Sequence, residues 1–135
     1  MLFLVLGIIL FSALNVLGYR FVAKAATHIS IEKKVELSTM YSELNKYFVS
    51  SIVVFAVFVL FFLKKLQLDF VSITTFFFLC AIVFIGVLGY WLLVELKRRQ
   101  FSAKAIQFML ISNGLKNIGF FVLIYGIAQF LAKLK

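Results

Sequence analysis

From residue 70 to residue 94 the chain carries no charged side chain, and the run FVSITTFFFLCAIVFIGVLGYWLLV is bounded by Asp69 and Glu95. As a helix rising ~1.5 Å per residue, it would be roughly 38 Å long. A bilayer's hydrocarbon core is about 30 Å thick, so the run can cross it with length left over. A surface helix of a soluble protein needs a charged or strongly polar face, and this one has none. That restricts the chain to the membrane class.

Three further apolar runs follow the same rule. They cover residues 2–19, 47–63 and 117–132. The expected fold is an all-α membrane protein of four antiparallel transmembrane helices, arranged as two helical hairpins in a single domain with cytoplasmic helical extensions. The spans are expected at about 2–19, 47–63, 70–90 and 117–132. The 64% hydrophobic content supports this class, since soluble domains are nearer half apolar. There is no proline, so no helix is forced to kink by a missing N–H.

The net charge of +9 would suggest nucleic acid in a soluble protein. Here the basic residues flank the apolar runs, where they set topology, and no nucleic-acid partner is expected. The segments after spans one and three carry five Lys or Arg each, against two after span two and two at the C-terminal end. The positive-inside rule then places segments 20–46 and 97–116 in the cytoplasm and both termini outside. The expected location is integral to a bacterial inner (plasma) membrane. Tyr19, Tyr47, Tyr90 and Trp91 fall at the cytoplasmic ends of spans one to three, as an aromatic belt would. Residues 1–19 lack the basic start of a signal peptide, so the first run is read as a retained span.

The polar segment 20–46 has no Pro or Gly. Leu37, Met40, Tyr41, Leu44 and Phe48 recur at helical spacing and lead into the second span. Helix 2 is therefore expected to begin near Ser30, whose hydroxyl can cap it, and helix 1 to continue a turn or two past Tyr19. Residues 91–96 should extend helix 3 beyond the bilayer as a stalk. Asn113-Gly114 is expected to bend the last helix where it enters the membrane. Lys116 then lies at the interface, because a central Lys costs about 2.5–3.5 kcal/mol.

Val16-Leu17-Gly18-Tyr19 recurs as Val87-Leu88-Gly89-Tyr90. Weaker matches follow in order, so the chain reads as a tandem hairpin repeat of residues 1–66 and 72–135.

The sequence offers no enzyme constellation. Glu32, Glu36, Glu43, Asp69 and Glu95 all lie outside the expected spans, so no buried carboxylate pair is available for acid and base work. His28 is the only histidine and Cys80 the only cysteine, too few for a zinc or haem site. No cofactor and no metal is expected, and the protein is read as a non-enzyme. Four spans in this length match small multidrug transporters and small fluoride channels in architecture alone. The first run lacks the embedded Glu of the former and the basic, glycine-rich helix of the latter.

Polar groups inside spans hydrogen-bond across helices or line a path. Ser12, Asn15, Ser51 and Thr75 are the candidates for helix packing or a polar pathway. Asn15 stands out as an amide in an apolar run, on one face with Ser12 and Tyr19. Asn113, Lys116 and Asn117 share a helix face and are the candidates for contact with a lipid headgroup or anion. Gly7, Phe11, Leu14 and Gly18 form a packing stripe on helix 1. Gly119 and Gly126, and Gly86 with Gly89, allow close helix contact within the chain or with a copy of it. The leading expectation is a structural or accessory subunit that binds itself or another membrane protein within the lipid bilayer. The alternatives are a small channel or carrier with a polar pathway at a helix interface, and a holin-like pore-former.

Overall fold

The structure, a computed structural model, describes the backbone of residues 2–66 and 70–132. Side chains are described except at 49, 52–53, 55–57, 59–66, 70–71, 73–74, 128 and 131–132. The described residues form four α-helices: α1 (Leu2–Ala26), α2 (Ile31–Leu66), α3 (Phe70–Arg98) and α4 (Ala103–Ala132). Among the described residues, three helical stretches are long and apolar enough to cross a membrane: Leu2–Ala26, Thr75–Arg98 and Ala103–Ile127. The expected second span, 47–63, is helical within α2, but most of its side chains lie outside the described residues. The turn expected around Asp69 lies outside them as well.

The helix ends follow from local chemistry. Ser30 caps α2 as its spacing implies: its Oγ accepts the Lys33 N–H at 3.3 Å, and its carbonyl accepts the Lys34 N–H at 3.0 Å. α1 runs two turns past Tyr19 to Ala26, as expected. α3 continues through residues 91–96, expected as a stalk, to Arg98, two residues beyond Leu96. It stops there in a Schellman motif. The Phe101 N–H bonds the Leu96 carbonyl at 3.1 Å, the Gln100 N–H bonds the Lys97 carbonyl at 3.0 Å, and Gln100 sits at φ 57°. Phe101 and Leu96 are both buried, which supplies the apolar contact that accompanies such a cap. Ser102 then caps α4, its Oγ accepting the Ala105 N–H at 3.3 Å.

The chain divides into two compact units, residues 1–29 with 81–135, and residues 30–80. In the first, α1 and α4 run antiparallel along a seam of small residues. Gly7 lies against Val122 and Gly126, Leu14 and Phe11 against Gly119, and Gly18 against Ser112 and Lys116. The Gly7, Phe11, Leu14, Gly18 stripe of the sequence is thus the α1 side of this seam. A Cβ added at Gly126 would stand 2.8 Å from the Phe3 carbonyl oxygen, so the two backbones touch there. Close backbone approach of this kind is how membrane helices associate when lipid is as apolar as leucine. Beyond the seam, Phe108 packs on Phe21 and stacks on His28, with ring centroids 6.1 and 5.7 Å apart. The Ser102 hydroxyl donates to the His28 carbonyl at 3.2 Å, tying the start of α4 to the chain just after α1. Phe84 of α3 meets Phe121 of α4 edge to face at 5.9 Å. Leu92 and Leu96, one turn apart on the stalk, are fully buried.

In the second unit, Leu37, Met40 and Leu44 of α2 are buried, and Tyr41 and Phe48 half-buried, so the periodic stripe read from the sequence is the less exposed side of the helix. Lys33 and Glu36 pair across one turn at 2.7 Å. α2 has 36 residues and is roughly 54 Å long, well beyond the thickness of a hydrocarbon core.

Candidate functional site

Polar side chains in an apolar helix must find a partner or remain exposed. The four residues proposed for packing or a pathway take different courses. Asn15 is half-buried, and its Nδ2 donates to the Phe11 carbonyl of its own helix at 2.9 Å. The amide that most needed a partner finds one within α1. Ser12, Ser51 and Thr75 are exposed. The structure brings none of these four to a shared buried position.

The α4 candidates behave otherwise. Asn113 and Asn117 are buried, and so is Ser112, which lies one turn before Lys116. Lys116 is half-buried. Its stem crosses Gly18, where an added Cβ would meet Lys116 Cγ at 2.9 Å. Its Nζ lies 3.9 Å from the centre of the Tyr19 ring. A cation over a tyrosine face is held by the ring quadrupole. The absence of a side chain at Gly18 is what lets the lysine reach that ring. Tyr19 closes the first apolar run of the sequence, so Lys116 lies level with the end of that run. It does so within the Ala103–Ile127 stretch, which starts well before the expected boundary at residue 117. α4 passes through Asn113-Gly114 as unbroken helix.

Ser112 Oγ and Asn117 Nδ2 are buried without a hydrogen-bond partner. Ser112 was missed by sequence reasoning. A serine in a membrane helix normally bonds its own backbone, and only its placement one turn before Lys116 marks it. Glu95 accepts from Arg98 and Arg99 of its own chain segment, each at 2.8 Å, and Glu36 is paired with Lys33.

α3 presents a second feature. Ile82, Val83, Val87, Tyr90, Trp91 and Val94 are exposed along it. Gly86 and Gly89 lie among them, and a Cβ at either would meet nothing within 4 Å. Four other glycines, Gly7, Gly18, Gly119 and Gly126, are used up in the α1–α4 seam.

Compared with protein-family models, curated proteins and solved structures, the chain matches none.

Proposed function

We propose that this protein is a small polytopic subunit of a bacterial inner membrane, without enzymatic chemistry of its own, which binds a second copy of itself or another membrane protein through the outer face of α3. One observation carries the reading. Gly86 and Gly89 face open space on a helix whose surrounding residues are apolar and exposed. Glycines in a membrane helix let a neighbouring backbone approach, and among the described residues none comes within 4 Å of a Cβ added at either. In this reading the four helices cross as two antiparallel hairpins, with segments 20–46 and 97–116 in the cytoplasm and both termini outside. The length of α2 and the continuation of α3 to Arg98 support helical extensions on that side. The channel reading would need Ser12, Ser51 and Thr75 to line a path, and each of the three is exposed.

The test is purification in mild detergent of the wild type and of Gly86→Ile with Gly89→Ile. The wild type should migrate as an oligomer or with a co-purifying membrane protein. The double variant should lose that association while unfolding at the same temperature, since its new side chains enter open space. A wild type that is monomeric and alone would refute the proposal.

A further inference from the structure

We propose that Ser112, Asn113, Lys116 and Asn117 of α4 form a binding site for a phosphate oxyanion, reached from the membrane surface beside Tyr19. The site stands on observations separate from the α3 face. Three of its side chains are almost wholly removed from solvent, with exposures of 0% for Ser112, 8% for Asn113 and 2% for Asn117. Two of them, through Ser112 Oγ and Asn117 Nδ2, have no hydrogen-bond partner. Buried polar groups are almost always bonded, so a buried donor left over calls for a ligand, an ion or water to complete it. Neither atom takes up a carbonyl of its own helix, as Asn15 does with Phe11 in α1.

The chemistry of the missing partner follows from what is offered. A hydroxyl and an amide N–H donate, and Lys116, on the same stretch of α4 with its Nζ over the Tyr19 ring, adds positive charge. α1 and α4 carry four basic residues, Arg20, Lys24, Lys104 and Lys116, and no acidic one. Ser112 and Lys116 are one turn apart, Asn113 and Asn117 likewise, and the two rows adjoin on the helix surface. A group with several acceptor oxygens and a negative charge complements both rows at once, and phosphate is such a group. Lys116 is half-buried and its Nζ lies over the exposed Tyr19 ring, so in the proposed site the oxyanion enters on that side. Phosphate there has two sources, the headgroup of a phospholipid and the free inorganic ion.

Native mass spectrometry and thermal unfolding of the full chain in detergent micelles test the site. Wild type, Ser112→Ala and Asn117→Leu are compared with phosphatidylglycerol, with inorganic phosphate and with neither. The wild type should retain the phosphate-bearing ligand at least threefold more than either variant, and should unfold at a higher temperature with it. A response to phosphatidylglycerol alone assigns a lipid headgroup, and a response to inorganic phosphate assigns the free ion. With no ligand present, Asn117→Leu should unfold no lower than the wild type, since it removes an amide that has no acceptor. Equal ligand retention by the wild type and Ser112→Ala would overturn the proposal, and so would a wild type that responds to neither ligand.

Discussion

Substituting Gly126 by alanine adds one methyl group where the fold has no room for it. Its Cβ would stand 2.8 Å from the Phe3 carbonyl oxygen and 3.5 Å from Leu4 Cα. Both are backbone atoms, so no side chain can swing aside, and α1 and α4 must part by several tenths of an ångström. A gap of 0.5–1 Å forfeits about a quarter to a half of each dispersion contact, and the seam loses such contacts over several turns. Overpacking of this kind costs about 1–3 kcal/mol. Alanine returns about 1 kcal/mol through its better helix propensity, which leaves a net loss of about 0–2 kcal/mol. Gly114→Ala, on the same helix, is the matched control. It gains the same propensity and meets nothing within 4 Å, so it should be neutral or slightly stabilising. Gly119→Ala should fall between the two, because its Cβ would meet Leu14 Cβ at 3.1 Å. The assay is reversible unfolding in mixed micelles, titrating a denaturing detergent against a mild one and following helicity. If Gly126→Ala were as stable as Gly114→Ala, the close α1–α4 seam would be wrong.

Three other outcomes can be checked the same way. Gln100→Gly should stabilise the protein by about 0.5–1 kcal/mol, because a side chain at φ 57° strains the α3 cap and glycine does not; an unfolding midpoint unchanged or lower would count against the cap. Ser102→Ala removes both the cap on Ala105 and the tie to His28, and should cost about 1 kcal/mol, with faster amide exchange confined to the first turn of α4. Tyr19→Leu should cost about 0.5–2 kcal/mol and Tyr19→Phe much less, since the ring and not the hydroxyl holds Lys116; the same loss in both variants would refute the cation–π contact.

Much of this fold is visible in the residues themselves. Uncharged runs locate the helices because lipid tolerates little else, and the α1 stripe of Gly7, Phe11, Leu14 and Gly18 marks a packed face before its partner is known. Ser30 declares the start of α2 because a hydroxyl just before a helix satisfies an otherwise orphaned N–H. What periodicity cannot give is the identity of the partner. Gly18 reads as a small residue for helix packing, but only the fold puts the Lys116 stem across it. Asn15 looks in need of a bond between helices, yet the Phe11 carbonyl one turn earlier supplies one locally. The α3 stop at Gln100 is hidden, because the expected glycine is missing and the burial of Phe101 on the stalk fixes the turn instead. Ser112 is hidden because a lone hydroxyl in an apolar helix normally means nothing.

The proposed role rests on the outer face of α3, and photo-crosslinking in the native membrane tests it most directly. A photoreactive side chain at Val87, beside Gly86 and Gly89, is compared with one at Ile9 on the exposed side of α1. Val87 should give a discrete covalent adduct with a second membrane protein or a second copy, one that disappears with Gly86→Ile and Gly89→Ile, and Ile9 should give only lipid adducts. Lipid adducts alone from Val87, or the same protein adduct from both positions, would contradict the account.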